Sequence, residues 1–332
     1  MTIATSFYTN LSSSTVAAFA PAPAGAKNLV WFVVDDLRPS LNKSYGQPSV
    51  ITPNLDKLAA TGTVFDHAYC NFAVCAPSRS SFMVGRRPNT TTCYNFMDHV
   101  RMPDIGPDWT SVPEHFKNNG YMVLGGGKTF HPGLPPNYDE PRSWTQEQGY
   151  YPLNDTSCPD GANYCAIDTK NMSEFFDYRM ADRAIGYLDL AAAANSSPSK
   201  SFFIAVGVRR PHTSWVVPSL IWDMYNQTNI SLPVQSTMDV SIPDIAWSDE
   251  AFGHANLGNG TRVPNPGPRG ALPDDVVLGL RRGYFAAVTW ADAQIGRVVQ
   301  AVEDRGFADD TIIVVSQIVL LAEEPARFIL CA

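Results

Sequence analysis

Two adjacent carboxylates, Asp35 and Asp36, directly follow the apolar run at residues 29–34. An aspartate pair alone is as consistent with a helix cap or a solvated turn as with a metal site. This pair stands at the end of a predicted buried strand, which would hold its oxygens in fixed positions. Because Ca²⁺ and Mg²⁺ bind through several carboxylate oxygens, we interpret Asp35 and Asp36 as ligands of a divalent cation.

A cysteine, Cys75, lies at or just before the start of a predicted helix at residues 77–84, and Arg79 follows four residues later. Most single cysteines are inert buried thiols. The environment of Cys75 differs, because a helix N-terminus and a guanidinium group would both stabilise an anion there. Cys75 is therefore a candidate reactive residue.

Two histidines accompany further basic residues. His131 follows Lys128 in the segment Gly125-Gly-Gly-Lys128-Thr-Phe-His131, which we predict to be a loop that holds an oxyanion and positions a base. His212 follows a predicted core strand at residues 201–207 and is a candidate general acid. A single histidine is more often a packing or surface residue, so residue type alone does not establish either role.

The periodicity of apolar residues predicts alternating strands and helices. Predicted strands cover residues 29–34, 63–68, 121–124, 201–207 and 311–315, and predicted helices begin near residues 53, 77, 112, 173 and 273. The last helix is predicted to reach residue 305, in one piece or two. Residues 216–273 are predicted to be loop. This alternation predicts an α/β fold with a mostly parallel sheet and helices on both faces.

In such sheets, ligands bind at the carboxyl ends of the strands. We therefore expect three polar pairs to converge at one edge, namely Asp35 with Asp36, Lys128 with His131, and Arg210 with His212. Two helix starts also contain capping residues. Thr52 before Pro53 predicts an N-cap, and the spacing of Ser111 and Glu114 predicts a capping box.

The composition excludes several classes of protein. The chain has 332 residues, of which 45% are hydrophobic and 11% aromatic, and this excludes a disordered or collagen-like chain. The formal net charge of −8 argues against a nucleic-acid-binding surface. We find no uninterrupted apolar stretch of about 18 residues, so we predict no membrane span.

Several features favour a secretory protein, lysosomal or extracellular. Residues 1–26 are small and apolar but lack a basic start, and we interpret them as a degenerate signal or leader segment. Cys158 and Cys165 flank a Pro-Asp-Gly turn and could close a small loop. Nine Asn-x-Ser/Thr sequons favour N-glycosylation. They are Asn10, Asn42, Asn89, Asn154, Asn171, Asn195, Asn226, Asn229 and Asn259.

In combination, these segments resemble the type I sulfatases, most closely their iduronate-2-sulfatase-like branch, over residues 27–316. The Cys75-Ala-Pro-Ser-Arg79 core is a specific match, because this family's formylglycine-generating enzyme oxidises that cysteine to formylglycine. Other matching segments are Asp35-Asp36-Leu-Arg38-Pro, Thr52-Pro-Asn54-Leu-Asp56, Gly85-Arg86-Arg87-Pro88, Gly127-Lys128-Thr-Phe-His131-Pro, Val208-Arg-Arg-Pro211-His212 and Tyr284-Phe-Ala-Ala-Val.

The resemblance implies an alkaline-phosphatase-like fold and hydrolysis of a sulfated carbohydrate or another small sulfate ester, such as a 2-sulfated uronic acid of a glycosaminoglycan. It implies that formylglycine made from Cys75 provides a hydrate that attacks the sulfate sulfur. It also implies one divalent cation, Ca²⁺ in most of the family. The cation would be bound by Asp35, Asp36 and residue 75, and it would polarise the sulfate.

The resemblance assigns roles to four further residues. Arg79 would orient the formylglycine side chain, and Lys128 would neutralise sulfate charge. His131 would be the base that expels sulfate from the covalent intermediate, and His212 the acid that protonates the leaving alcohol. Cys158 and Cys165 match a disulfide of the family.

The match ends at Ser316. Family members continue into a Ser-Asp-His/Asn-Gly motif that supplies the remaining metal ligands, whereas this chain continues with Gln317-Ile-Val and ends at residue 332. We therefore expect a C-terminally truncated, incomplete catalytic domain at residues 27–316. We expect residues 317–332 to be an aberrant tail from a retained intron, a frameshift or a gene-model error. Cation affinity should then fall severely.

Three functions stay open on this basis. The chain could be an active sulfatase, or an inactive truncated sulfatase-like protein that at most binds anionic glycans. It could also be a related phosphoesterase with an unmodified nucleophile at Cys75. Formylglycine and a free thiol differ in mass, so the modification state of Cys75 separates the first reading from the third.

Overall fold

The computed structural model describes residues 21–39, 41–66, 68–145, 149–194, 201–225, 230–235, 237–243, 254–258, 260–318 and 328–331. The strands within these residues are β1 (Asn28–Asp35), β2 (Thr63–Phe65), β3 (Met122–Gly127), β4 (Tyr164–Ile167), β5 (Phe202–Val208), β6 (Trp215–Pro218), β7 (His254–Gly258), β8 (Thr261–Pro264), β9 (Thr311–Ile318) and β10 (Phe328–Cys331). The helices are α1 (Asn42–Tyr45), α2 (Pro53–Thr61), α3 (Cys75–Val84), α4 (Pro88–Thr91), α5 (Val112–Asn118), α6 (Phe176–Ala194), α7 (Ser219–Trp222) and α8 (Asp274–Asp304).

A six-stranded sheet with the order β2-β10-β9-β1-β5-β3 forms the centre of the molecule. The strands β9, β1, β5 and β3 are parallel to one another. At the β9 edge, β10 and β2 continue the sheet in antiparallel pairing. The sheet is thus mostly parallel, and the prediction from the alternation of strands and helices is confirmed.

Helices cover both faces of this sheet. Successive residues of β1 point to opposite faces, as strand geometry requires. Phe32 belongs to the larger apolar core, which includes residues of α2, α6 and α8. Trp31 packs against the smaller core, to which α3 contributes Met83 and α5 contributes Phe116. Because both faces are covered, β1 and β5 consist almost entirely of apolar residues.

The predicted caps have different outcomes at the two helix starts. Ser111 and Glu114 form the predicted capping box of α5, with both reciprocal hydrogen bonds at 3.2 Å. Thr52 precedes α2, but its side chain makes no capping hydrogen bond to that helix. Asp292 of α8 takes over this function, because its Oδ1 accepts a hydrogen bond from the Leu55 backbone N–H at 2.7 Å.

Some predicted elements differ in extent from those of the structure. The segment at residues 216–273 contains β6, α7 and the hairpin of β7 and β8, so its interpretation as loop is wrong in part. The helix predicted in one piece or two is one continuous helix, α8, of 31 residues. The strand predicted at residues 63–68 is shorter, since β2 ends at Phe65.

The disulfide between Cys158 and Cys165 is present and closes the loop before β4. Most of the predicted leader, up to residue 20, lies outside the described residues. In the predicted aberrant tail, β10 pairs with β9, and residues 319–327 lie outside the described residues. Five of the sequons also lie outside them, at Asn10, Asn195, Asn226, Asn229 and Asn259. In the described part of the chain, we find no helix both long enough and apolar enough to cross a membrane.

Replacement of Asp292 tests its capping role in α2. We expect Asp292→Ala to lower the free energy of unfolding by about 1–3 kcal/mol, because the buried Leu55 N–H loses its acceptor. Asp292→Asn keeps one acceptor oxygen and should cost less. Asp304→Ala, an exposed position on the same helix, is the control and should change stability by less than about 0.5 kcal/mol. Urea unfolding measures all three variants, and equal losses for Asp292→Ala and Asp304→Ala would contradict the assignment.

The pH dependence provides a second readout for the same residue. Burial raises the pKa of Asp292 from 3.8 to about 6, so the folded protein binds a proton at a pH where the unfolded chain does not. The contribution of Asp292 to the free energy of unfolding therefore increases as the pH falls from about 6 towards 3.8. The wild type should gain stability relative to Asp292→Asn over this interval, and a constant difference would count against the assignment.

Candidate active site

Three parallel strands bring polar residues to one edge of the sheet. Asp35 is the last residue of β1, Lys128 directly follows β3, and Arg209 directly follows β5. Since β5 lies between β1 and β3, the three strand ends are adjacent. The topology therefore gathers charged residues that are distant in sequence into one group.

Asp35 is completely buried and lies at the centre of this group. Its Oδ1 accepts a hydrogen bond from Nη2 of Arg79 at 2.9 Å and one from the Cys75 thiol at 3.5 Å. Nζ of Lys128 forms an ion pair with Oδ2 of Asp35 and lies 3.6 Å from Sγ of Cys75. The sulfur thus lies between a carboxylate and an ammonium group. We call Asp35, Cys75, Arg79 and Lys128 the Asp35 cluster.

α3 supplies two members of the Asp35 cluster from one helix face. Cys75 is the first residue of α3, and Arg79 lies one turn further on. Residues four apart on an α-helix lie on the same side, so both side chains reach Asp35. Nη1 of Arg79 also donates to the Thr129 carbonyl at 2.8 Å. This contact connects α3 to the segment that follows β3.

Two glycines in close contact set the position of Lys128. Gly127 has a φ of +70°, and a Cβ there would overlap the carbonyl oxygen of Gly207. A Cβ at Gly207 would overlap the backbone nitrogens of Lys128 and Thr129. The loop predicted from residue 125 onwards is wrong for residues 125–127, which belong to β3. These glycines are buried in β3, where they permit close packing.

Asp36 turns out of the strand with a left-handed backbone, at a φ of +57°. In an extended strand, its side chain would point away from that of Asp35. Here Oδ2 of Asp36 lies 3.8 Å from Nε2 of His212, which is 3.9 Å from Oδ2 of Asp35. The hydroxyl of Tyr284 donates to the Asp36 carbonyl at 2.9 Å and accepts from the Arg38 N–H at 2.7 Å. α8 thereby stabilises a turn that non-glycine residues rarely adopt.

Both predicted catalytic histidines are neutral near pH 7. Burial lowers the pKa of His131 to about 4 and that of His212 to about 3. In His212, Nδ1 lies 2.6 Å from the Thr213 carbonyl, and in His131 it lies 3.0 Å from the Pro132 carbonyl. A carbonyl only accepts, so Nδ1 holds the proton in each ring and Nε2 is the proton acceptor. The His131 ring also packs 5.1 Å from the ring of Phe96.

The charges of the Asp35 cluster determine which groups are ionised. Burial would raise the pKa of Asp35, but Arg79 and Lys128 outweigh burial and hold this pKa well below its ordinary value. Burial and the adjacent charge of Asp35 raise the pKa of Asp36. The same two causes raise the pKa of the Cys75 thiol to about 12. An unmodified Cys75 is therefore protonated near pH 7.

Several atoms of this site fit a divalent cation. Oδ1 of Asp36 and Oδ2 of Asp35 are buried and accept no hydrogen bond from the described residues, although Lys128 pairs with the latter. Single ligand atoms of Asp35, Cys75 and His212 lie within 4.8 Å of one another. Buried carboxylate oxygens are costly unless a proton or a cation compensates for lost hydration. Of the predicted ligands, Asp35 and Cys75 thus lie together with His212, and Asp36 adjoins this group through His212.

Arg209 also reaches this site, although the sequence did not indicate it. Its Nη1 lies 3.7 Å from Oδ2 of Asp35. Arg210 was expected at this edge instead, and that expectation is wrong, because its guanidinium donates to both carboxylate oxygens of Asp155 at 2.8 and 3.1 Å. Both arginines contact Asp155, and Nη1 of Arg209 extends further, towards Asp35. The residue types alone do not distinguish the two, so the sequence offered no signal for Arg209.

Comparison with known proteins identifies relatives over most of the chain. The family model described as Sulfatase matches residues 27–316. Iduronate 2-sulfatase of Homo sapiens is 36% identical over 306 residues, which cover 87% of this chain and 54% of the human protein. The Mus musculus iduronate 2-sulfatase is also 36% identical, over 87% of this chain and 53% of the mouse protein. The chain thus spans about half the length of these relatives.

A solved structure shares the fold at lower identity. The phosphonate monoester hydrolase of Agrobacterium radiobacter superposes with a TM-score of 0.63 and 18% identity, over 92% of this chain and 68% of that chain. The predicted alkaline-phosphatase-like architecture is confirmed. The family model covers the strands and the helix that build the site. From this match and from the identity to the iduronate 2-sulfatases, the chain belongs to the sulfatase family.

Proposed function

We propose that this chain forms the sulfate-cleaving part of an enzyme that hydrolyses a sulfate ester on a sulfated carbohydrate. The supporting observation is the buried Asp35 cluster, in which Sγ of Cys75 lies 3.5 Å from Asp35 and 3.6 Å from Lys128. A sulfate ester is an anion with a poorly electrophilic sulfur, so its cleavage requires positive charge beside the nucleophile. Arg79 and Lys128 provide such charge.

Each member of the site then has a specific role. Formylglycine made from Cys75 would supply a hydrate hydroxyl as the nucleophile. A divalent cation bound by Asp35 and Asp36, for which we propose Ca²⁺, would polarise the sulfate. Arg79 would orient residue 75, since both side chains contact the same oxygen of Asp35. Lys128 would pair with a sulfate oxygen.

The two histidines would move protons. His131 has a pKa of about 4, so it is unprotonated near neutral pH and suited to act as the base that expels sulfate. His212 has a pKa of about 3 in the substrate-free site. Its role as the acid for the leaving alcohol therefore requires that the negative charge of bound sulfate raise that pKa. Nε2, the unprotonated nitrogen of His212, faces both aspartates.

A phosphoesterase that uses an unmodified Cys75 has less support. The thiolate rather than the thiol is the nucleophilic form of cysteine. With a pKa of about 12, the Cys75 thiol would have little thiolate available near pH 7. Formylglycine avoids this obstacle, because its nucleophile is not a thiolate.

The alternative of a weakly active or inactive protein has support from β9. Its register pairs Gln317 with Val34 and Ile318 with Asp35. At these positions, which correspond to the family's Asp and His/Asn ligands, this chain has an uncharged amide and an apolar residue. Neither replaces a charged ligand, so we expect low cation affinity.

We propose a sulfated uronic acid of a glycosaminoglycan as the substrate, from the names of the iduronate 2-sulfatase relatives. We also propose maturation by a formylglycine-generating enzyme in the secretory pathway and a lysosomal or extracellular location. The Cys158–Cys165 disulfide supports this route. So does the exposure of the sequons Asn89, Asn154 and Asn171, which a glycosyltransferase could reach.

The modification of Cys75 is tested by peptide mass spectrometry after co-expression with a formylglycine-generating enzyme. We expect the peptide that contains Cys75 to be about 18 Da lighter than its sequence mass, because one oxygen replaces sulfur and two hydrogens. Cys93, another buried thiol of the same chain, is the internal control and should keep its mass. Sulfate release from an aryl sulfate by protein with unmodified Cys75 would contradict the proposed nucleophile.

The role of Asp36 is tested by Asp36→Asn. Asparagine tolerates the left-handed backbone of this position, so the turn should persist while one anionic ligand is lost. We expect Ca²⁺ affinity, measured by titration calorimetry, to fall by more than about tenfold. Asp309→Asn, at an exposed site far along the chain, should leave the affinity unchanged. Equal affinity of the Asp36→Asn variant and the wild type would exclude Asp36 as a ligand.

The role of β9 is tested by the double substitution Gln317→Asp and Ile318→His. The register places these positions beside Val34 and Asp35, and the resemblance places the family's further ligands there, so we expect the Asp and His to tighten Ca²⁺ binding by at least about tenfold. Gln300→Asp with Ile185→His, on the helices α8 and α6, provides a control with the same residue types. Unchanged Ca²⁺ affinity in the β9 variant would show that other features limit cation binding.

A further inference from the structure

We propose that Arg209 is a further sulfate-binding residue of this site and that its Nη1 donates to a sulfate oxygen. The inference rests on the proposed function, because it assumes that the anion bound beside the Asp35 cluster is a sulfate group. Its basis is the orientation of one guanidinium group that the resemblance to known sulfatases did not single out.

Two of the three guanidinium nitrogens of Arg209 are held by the surrounding chain. Nε lies 3.1 Å from Oδ2 of Asp155, and Nη2 donates to the Thr213 carbonyl at 2.6 Å. The backbone N–H of Arg209 donates to Oδ1 of Asp177 at 2.6 Å. These contacts fix the plane of the guanidinium and the direction of its remaining nitrogen.

That remaining nitrogen, Nη1, points towards the Asp35 cluster without a hydrogen-bond partner of its own. It is buried, no described residue accepts a hydrogen bond from it, and it lies 3.7 Å from Oδ2 of Asp35. Lys128 forms an ion pair with the same oxygen, and Nε2 of His212 lies 3.9 Å from it. Three nitrogen-bearing side chains thus converge on this oxygen, one from the end of β3 and two from the segment that follows β5.

An unpartnered, buried guanidinium N–H is costly unless an acceptor is bound. An oxyanion is the natural acceptor, because the guanidinium charge persists at all relevant pH values and its hydrogen bonds to oxyanions are charge-assisted. A sulfate beside Cys75 would accept from Nη1 and from Lys128 together. The chemistry of the site therefore points to a tetrahedral oxyanion at this nitrogen.

The neighbouring Arg210 shows what a purely structural arginine looks like in the same turn. All three of its guanidinium nitrogens have acceptors: Nε donates to the Val216 carbonyl at 3.3 Å, and Nη1 and Nη2 donate to Asp155. None of its donors is left for a ligand. Arg210 therefore stabilises the turn, whereas Arg209 keeps one donor with which it could bind a ligand.

The test is the binding of inorganic sulfate to the full chain, measured by titration calorimetry with Ca²⁺ present. Arg209→Gln should weaken sulfate binding by about tenfold or more, and Arg209→Lys, which keeps the charge but not the planar guanidinium, should recover part of the loss. Arg282→Gln, at an arginine that lies over the Trp222 ring, is the control and should bind sulfate within about twofold of the wild type.

Melting temperatures accompany each titration, so that a misfolded variant is recognised. Arg210→Lys should lower the melting temperature and leave sulfate affinity nearly unchanged in the folded protein, since its donors frame the turn. On an aryl sulfate, Arg209→Gln should raise KM more than it lowers kcat if Nη1 binds the sulfate group in the ground state.

Unchanged sulfate affinity in folded Arg209→Gln would overturn the inference, and so would an absence of sulfate binding to the wild type. Titration with glucuronate distinguishes a sugar carboxylate from sulfate, and loss of glucuronate binding alone in Arg209→Gln would also overturn it. If the chain hydrolyses no sulfate ester but binds sulfate through Arg209, the proposed function fails and the inference stands. If the chain hydrolyses a sulfate ester but the Arg209→Gln variant has an unchanged KM, the proposed function stands and the inference fails.

Discussion

The site depends on the compensation of one buried negative charge. Asp35 is 0% exposed, and an ionised carboxylate in that position is strongly destabilising unless nearby cations and donors replace its lost hydration. Arg79 and Lys128, which are themselves buried, provide this compensation from α3 and from the segment after β3. The ion pairs of Arg79 and Lys128 with Asp35 hold α3 and the segment after β3 against the end of β1. The same contacts place Cys75.

Some buried polar atoms around Asp35 have no hydrogen-bond partner among the described residues. They include Oδ1 of Asp36, Nε of Arg79 and Nη1 of Arg209. Native proteins leave few such atoms, and here three belong to residues around Asp35. These unpartnered atoms and the left-handed turn at Asp36 lower the stability of the folded protein. A bound cation and a bound oxyanion would supply the missing interactions.

Agreement with the sulfatase family is uneven along the chain. Residues 27–316 contain the Asp35 cluster and match the family model. Beyond Ser316, the register positions beside Val34 and Asp35 hold Gln317 and Ile318. The residues that we propose to bind the oxyanion all lie within the matched part of the chain. The proposed cation site combines Asp35 and Asp36 from the matched part with the positions that follow Ser316.

The sequence by itself determined the main strands and helices around the site and the set of reactive groups, because apolar periodicity and helix caps act over a few residues. It could not determine that the glycines at residues 125–127 continue a buried strand, since their packing partners are distant in the chain. Nor could it determine which of Arg209 and Arg210 reaches Asp35, because both contact Asp155 and only the folded chain shows that Nη1 of Arg209 extends to Asp35. The tertiary structure decided these orientations. A buried charged side chain points towards the residue that compensates its charge, and that residue is distant in the sequence.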